Sequence, residues 1–409
     1  MSTDNKVPEI RSKGFSGEWA EEILGDVAEI KTGPFGSTLH AKAYVEDGHA
    51  IITTEHFKSG ELPVDKKNIP QVSEDDYLRL KAYLLKVGDI VFSRVGSVDI
   101  NALVTNKQEG WLFSGRVLRV RSGKIIDSEY LHHELSTSRV KKSVVSRAVG
   151  QTMPSINTEI LKITPIHFPL DTTEQTTIGN YFQKIDALIN QHQQKHDNLS
   201  NIKKAMLEKM FPKQGETIPE IRFKGFSGEW KNLTLGDLGS VAMNKRIFKH
   251  QTTISGEIPF FKIGTFGKQA DAFISKNLFD EYKAKYPYPV AGDLLLSASG
   301  SIGRVVEYKG EEQYFQDSNI VWLKHDGKID NAFLKVFYSM VKWSGLEGST
   351  IQRLYNKNIL DTEISTPERQ EQTAIGNYFQ KLDNLINQHQ QQITKLNNIK
   401  QACLSKMFV

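Results

Sequence analysis

The chain has 409 residues, 39% of them hydrophobic and 24% charged, with a net charge of +4 and a pI near 8.7, enough for about two to four globular domains. No run of about 18 apolar residues is present to cross a bilayer, and the opening MSTDNKVPEIRSKG lacks the apolar stretch of a secretory signal, which predicts a cytoplasmic protein. The single cysteine, Cys403, excludes an internal disulfide and any cysteine-built zinc site, and the mild basicity admits a polyanion partner without requiring one.

The chain opens on PEIRSKGFSGEW (Pro8 to Trp19), which returns as PEIRFKGFSGEW from Pro219 to Trp230. A longer segment is also doubled: Glu174 to Phe211 recurs from Glu371 to Phe408 with 27 of 38 positions identical. The repeats divide the chain into a conserved N-terminal segment (1–22), a first variable module (23–171), a central helix (172–211), a linker with the repeated block (212–232), a second variable module (233–367) and a C-terminal helix (368–409). The offset is 211 for the short block and 197 for the long one, so the first module is 14 residues longer.

In the first module KVGDIVFSRVGS (Lys86 to Ser97) runs from a Gly-Asp turn into an apolar strand and out at Gly96. A second strand is predicted over Trp111 to Arg121 and a helix over Ser128 to Val145. From Leu112 to Gln151 the bases Arg116, Arg119, Arg121, Lys124, Arg139, Lys141, Lys142 and Arg147 outnumber the acids Asp127, Glu129 and Glu134, either as a solvated surface or as a footprint for an anion. In the second module VAGDLLLSASGSIG (Val290 to Gly303) repeats the first pattern, with a strand predicted over Gln313 to Lys324 and a helix over Asn331 to Trp343. Both modules are therefore expected to share one mixed α and β fold.

The long repeats read as helices. Ile178, Ile185, His192, Leu199 and Met206 fall seven apart, as do Ile375, Leu382, His389, Leu396 and Cys403 in the second copy. A companion series three residues on, Tyr181, Leu188, Lys195, Ile202 and Lys209, with Tyr378, Leu385, Gln392, Ile399 and Lys406, completes the predicted heptad seam. One helix cannot bury such a seam, so the copies are expected to pair as an antiparallel coiled coil with pseudo-two-fold symmetry, His192 and His389 lying near its axis. At 1.5 Å per residue the rod spans about 45 to 57 Å, compatible with two reading heads about one DNA turn apart. His192 and His196 have the i, i+4 spacing of a metal pair, but Ile393 replaces the second histidine in the other copy, so no metal site is read there.

Two variable modules, each followed by a heptad helix opening EQTTIGNYFQKIDALI (Glu174 to Ile189) or EQTAIGNYFQKLDNLI (Glu371 to Ile386), together with the GFSGEW blocks and the Gly88 and Gly292 turns, resemble the specificity subunit of a Type I restriction-modification enzyme. The resemblance covers essentially the whole chain. It implies an α+β architecture of two target recognition domains separated by the paired helices, each domain reading one half of a split double-stranded DNA target. It further implies two modification subunits as partners, which carry S-adenosylmethionine and methylate adenine, and a restriction subunit for cleavage. The chain itself is expected to hold no cofactor and to catalyse nothing. In agreement, it has no Pro-Pro dipeptide for the base-gripping loop of an adenine methyltransferase, and no GxxxxGK[ST] phosphate loop.

Base edges are read by paired donors and acceptors, phosphates by Lys, Arg, hydroxyls and backbone N–H groups. On that basis the candidate DNA-binding residues of the first module are Lys31, Thr32, Gly33, Ser37 and Thr38 in an early Gly-containing loop, Arg94 after the apolar strand, Arg119 and Arg121 on one strand face, and Arg147, Gln151 and Asn157 around the Gly150 turn. In the second module they are Lys245 and Arg246, then Ser299, Ser301 and Arg304, then Gln352, Arg353, Tyr355, Asn356, Lys357 and Asn358 in IQRLYNKN, which occupies the place of Gln151 to Asn157. Tyr181, Phe182, Tyr378 and Phe379 are read as packing where each helix leaves its module. Asn180, Gln183 and Lys184, with Asn377, Gln380 and Lys381, are the candidate surface for the modification subunits. A self-contained DNA-modifying enzyme and a coiled-coil adaptor without DNA readout are the competing functions.

Overall fold

The computed structural model describes residues 6–34, 38–39, 44–345 and 352–409. They fall into two compact units, residues 1–193 with 391–409 and residues 194–390. The two long helices, Thr172–Lys209 and Arg369–Lys406, each contribute to both units.

Each unit holds one module, and the two modules share a topology. In the first, the strands Ala28–Thr32, Val117–Ser122, Asp89–Ser93 and Asn101–Leu103 lie side by side in that order, all antiparallel. In the second the order is Ser240–Ala242, Ile320–Lys324, Leu294–Ser297 and Val305–Glu307, again antiparallel. The apolar runs after the Gly-Asp turns become inner strands, buried along their length, as their lack of alternation requires. A smaller sheet accompanies each, with a parallel pair formed by His49–Ile52 and Leu112–Phe113, or by Ile258–Phe261 and Tyr314–Phe315. A third ladder joins each module's beginning to its end, Ala20–Ile23 against Pro165–Phe168 and Lys231–Thr234 against Glu363–Thr366.

The Gly-Asp turns have a simple basis. Gly88 and Gly292 sit at φ of +84° and +96°, a region costly for any residue with a Cβ. The following aspartate then accepts the N–H three residues back, Asp89 from Lys86 and Asp293 from Val290, both at 2.8 Å.

Three expectations are corrected. The helix over Ser128 to Val145 is two, Ser128–Glu134 and Ser138–Val145, because Thr137 caps the second by accepting from the Val140 N–H. The strands over Trp111 to Arg121 and Gln313 to Lys324 are each split, at Ser114–Arg116 and at Gln316–Asn319, where the chain steps from the smaller sheet to the larger. The companion seam series is wrong: Tyr181, Leu188, Ile202, Leu385 and Ile399 are exposed. The inward stripe follows the first series by four residues, not three: Ile178, Phe182 and Ile185, and in the second copy Ile375, Phe379, Leu382 and Ile393, are buried. Four-then-three spacing keeps a seam as well as three-then-four, and Phe182 and Phe379 decide between them.

In the first unit the helices run antiparallel. Tyr181 Oη lies 3.5 Å from Cys403 Sγ and, further along, Asp186 accepts from Lys400 at 2.5 Å. The second unit has the same ion pair with the helices exchanged, Lys203 to Asp383 at 2.6 Å. The end of one copy completes the module core of the other: Leu404, Met407 and Phe408 pack with Trp19, Tyr130 and Phe182 in the first unit, and Met210 and Phe211 with Trp230, Phe333 and Phe379 in the second. Met206 and Cys403 pack at the edges of these cores, and Leu199 at that of the second unit. Leu396, His192 and His389 are half-buried.

The doubled motifs are the fasteners. Arg11 Nε and Nη2 donate to the two oxygens of Glu174 at 2.7 and 2.8 Å, and Arg222 does the same to Glu371 at 2.6 Å each. Both arginines also hold the GFSGEW turn, donating to Gly17 O and Gly228 O at 2.5 Å. Gln175 and Gln372 accept the Asp127 and Asp330 N–H groups at 2.7 and 3.0 Å, at the caps of module helices. Gly179 and Gly376 let those helices approach, since a Cβ would come within 2.9 Å of Glu129 Cβ or 2.6 Å of Ala332 Cβ. The Glu, Gln, Ile, Gly and Phe of EQxxIGxYF thus all belong to the docking surface.

Glu174 and Glu371 are each 1% exposed, so removing an arginine strands a buried carboxylate. Arg11→Ala or Arg222→Ala should destabilise its own unit by about 3 kcal/mol in urea unfolding, and Arg11→Met with Glu174→Gln should recover most of it. A single variant as stable as the wild type would show that the clamp contributes nothing, and equal loss in single and double variants would show that the stranded carboxylate is not the cause.

Candidate nucleic-acid interface

Four loops are stitched together at one edge of the first module. Gly33 N donates to Val117 O at 3.2 Å, and a Cβ on Gly33 would lie 2.2 Å from Ser114 O, so only glycine fits there. Arg94 N donates to Arg116 O at 3.0 Å, and Ile156 N returns to Arg94 O at 2.9 Å. Val95 bridges Ser155. The second module repeats the arrangement: Ala298 N donates to Asn319 O and Leu354 N to Ala298 O, both at 2.8 Å, and Ser299 bridges Arg353. Gln151–Asn157 and the described part of IQRLYNKN are therefore structurally equivalent: Asn157 is the cap of helix Thr158–Lys162, and Tyr355 is the cap of helix Asn356–Leu360, whose first turn holds Asn356, Lys357 and Asn358.

Availability sorts the candidates. Arg119 is 3% exposed and donates to Glu29 at 2.5 Å. Arg121 grips both Asp89 oxygens at 2.6 Å, an interaction that raises its own pKa. These two arginines join strands of the large sheet, so both side chains are engaged within the module. Arg94 donates Nη1 to Gly115 O at 2.7 Å and Nε to Ile156 O at 3.2 Å, holding two loops. Arg147 donates to Ser143 O at 2.8 Å, and Asn157 caps its helix by accepting from Ile160 N at 2.8 Å. Lys31 and Thr32 belong to a strand, and Lys31 donates to Ala82 O at 2.9 Å. Thr38 is exposed, and Ser37 lies outside the described residues.

In the second module Arg246 pairs with Asp317 at 2.9 Å and Lys245 lies over the Tyr286 ring at 4.9 Å, both remaining exposed. Ser299 is buried and donates to Asn319 at 2.6 Å. Arg304 donates to Phe266 O at 2.9 Å. Ser301 is exposed, and Asn358 is half-buried against Gly345. Gln352, Arg353, Tyr355, Asn356 and Lys357 are all exposed. A stacking-capable ring thus stands among amide and guanidinium donors.

This frame matches known proteins. The family model for the type I restriction modification DNA specificity domain matches residues 16–201 and 227–398. The chain belongs to that family. A protein of Haemophilus influenzae named as a type I restriction enzyme specificity subunit is 54% identical over 158 residues, 38% of this chain and 41% of that protein. One of Methanocaldococcus jannaschii, named as the MjaX specificity subunit, is 24% identical over 90% of this chain and 88% of its own length. The crystal structure of a type I S subunit from M. genitalium has the same fold, with a TM-score of 0.67 and 14% identity over 98% of this chain and 99% of that one.

On the family's repeated helices Asn180, Gln183, Lys184, Asn377, Gln380 and Lys381 are all exposed, with Gln183 donating to Glu129 at 2.7 Å. No helix among the described residues is long and apolar enough to cross a membrane. Sequence reading counted Arg116 among the bases of the first module but not among its candidate contacts, because the turn that carries it lay inside a predicted strand; the Ser114-Gly115 pair was the signal for that turn.

Sequence reading also missed the neighbouring His132, His133 and Asp186, whose ligand atoms lie within 4.8 Å of one another. The carboxylate belongs to Lys400, and the same ion pair in the second unit, Asp383 with Lys203, stands beside no histidines, so a helix fastener explains it. His132 Nδ1 meets Asn101 Oδ1 at 2.6 Å, and burial, with Lys400 and Lys141 nearby, pushes its pKa down to about 3. The folded chain therefore refuses a proton that the unfolded chain takes below its ordinary value near 6.5, and stability is lost as pH falls through that value. At pH 5 this residue should cost up to about 2 kcal/mol relative to neutral pH. His132→Gln should flatten urea midpoints between pH 6.5 and 5; an unchanged slope would place the titration elsewhere.

Proposed function

We propose that this chain is the DNA-specificity subunit of a Type I restriction-modification complex, reading a bipartite target with one half-site per module. The observation that carries this reading is a constant frame with unlike loop edges. Identical clamps, turns and stitches recur in both modules, while the exposed side chains at the stitched loops differ: Gln151 and Arg116 in one, the IQRLYNKN cluster in the other. Each long helix has 38 residues, about 57 Å at 1.5 Å per residue. The partners are DNA and other subunits of the complex: two modification subunits, for which the exposed helix faces are the candidate seat, and a restriction subunit. S-adenosylmethionine and adenine methylation belong to the modification subunits. The absence of a Pro-Pro base-gripping loop disfavours a self-contained methyltransferase.

The test is a map of modified adenine in a host expressing the chain with its partner subunits. A split motif with adenine modified on both strands is expected, and it should vanish when this gene is deleted. Retention of the motif after deletion would refute the assignment, and a coiled-coil adaptor without readout would then be favoured. Replacing Gln352 and Arg353 by alanine should relax one half-site by about tenfold to a hundredfold for each base they read, leaving the other half-site intact. Relaxation of both halves together would count against one reader per module.

A further inference from the structure

Arg116 stands at the tip of the turn Ser114–Arg116, between the strands Leu112–Phe113 and Val117–Ser122. The backbone of this turn is fixed by three bonds: Val117 N to Ser114 O at 2.9 Å, Arg94 N to Arg116 O at 3.0 Å and Arg94 Nη1 to Gly115 O at 2.7 Å. Its side chain is exposed and makes no hydrogen bond or ion pair among the described residues. Every other arginine of the first module is engaged: Arg79 with Asp76, Arg94 with backbone carbonyls, Arg119 with Glu29, Arg121 with Asp89, Arg139 with Glu134 and Arg147 with Ser143. A rigid mount under an unengaged guanidinium is the arrangement a reading group needs, because little order is left to impose on binding.

The surroundings give a base edge room to approach. Arg116 lines a concavity of about 510 Å³ together with Tyr44, Thr53, Thr54 and Glu55. The carboxylate on the same wall, Glu55, is paired with Lys58, so the guanidinium is the group left to read, and its two parallel donors match the two major-groove acceptors of guanine, O6 and N7. The second module makes the equivalent backbone bond, Ala298 N to Asn319 O at 2.8 Å, from a turn one residue longer, Gln316–Asn319, and carries there Asn319, whose side-chain oxygen is taken by Ser299. The scaffold is constant and the side chain is not, as a position that distinguishes two half-sites requires.

We propose that Arg116 is a specificity-determining residue of the first module that reads a guanine through O6 and N7; this rests on the DNA-reading function proposed above. The test expresses the full chain with its partner subunits and maps modified adenine across the host genome for the wild type, Arg116→Ala and Arg116→Gln. Because Arg116 is unengaged, both variants should keep the wild-type melting temperature. One position of one half-site should lose its preference for G by about tenfold to a hundredfold, with the other half-site and all other positions unchanged. An unchanged motif in both variants, or methylation lowered evenly at every site with the motif intact, would overturn the proposal while leaving the function standing. Failure of the wild type to give a split motif would instead remove the functional reading, and this assignment with it.

Discussion

Each long helix carries an apolar stripe that no single helix can bury, and each module core lacks a wall that its own helix does not supply. Both needs are met at once: in the first unit Ile178 and Phe182 come from one copy and Leu404, Met407 and Phe408 from the other, around Trp19. The exchange explains why the helix sequences are held so nearly equal. A change in one copy alters the seam of both units, and a Phe at the end of one helix must fit a Trp that belongs to the repeated block of the other module. Arg11 and Arg222 are bound into the same constraint, since each fixes a GFSGEW turn to the first turn of a long helix. The clamp is buried and therefore strict about geometry, whatever its net contribution to stability.

The fold was legible wherever a pattern repeats. Doubling marked the modules and the helices, and seven-residue spacing marked Ile178, Ile185, Ile375 and Leu382 as buried. Periodicity could not choose between partners three and four residues on, because apolar residues occupy both places: Tyr181 and Leu188 are exposed while Phe182 is buried. The turns splitting Trp111–Arg121 and Gln313–Lys324 were hidden for a related reason. Apolar and β-branched residues flank them on both sides, and only a Gly or a Ser-Asn pair announces a change of sheet.

The site was less legible because composition reports charge and not availability. Arg119 and Arg121 alternate with apolar residues as an exposed basic face would, yet Glu29 and Asp89 on neighbouring strands already pair with them. Those acids lie 90 and 32 residues away in sequence, beyond any local pattern. Asn157 was chosen for its base-pairing chemistry, but the same amide oxygen caps a helix. A donor held by the protein must be freed before it can bind elsewhere, and that cost falls on the complex. The exposed side chains of Gln352, Arg353, Tyr355, Asn356 and Lys357 make no such bond among the described residues.

Duplication supplies an internal control for this sorting. A residue that keeps its identity and its bond in both modules, such as the Arg of PEIR, the Glu of EQxxIG or the Asp of the Gly-Asp turn, is explained by the frame, because the two modules would need it even if they bound different things. A residue that sits on a shared backbone bond but changes its side chain is not required by that frame, even where, as at Arg94 or Asn319, the side chain bonds within its own module. The Arg116 and Asn319 turns, and the Gln151 and Gln352 segments, are of this second kind. Specificity can vary there without disturbing the clamps, the ladders or the seam, and the physical separation of the two classes of position is what lets one scaffold carry two different readers.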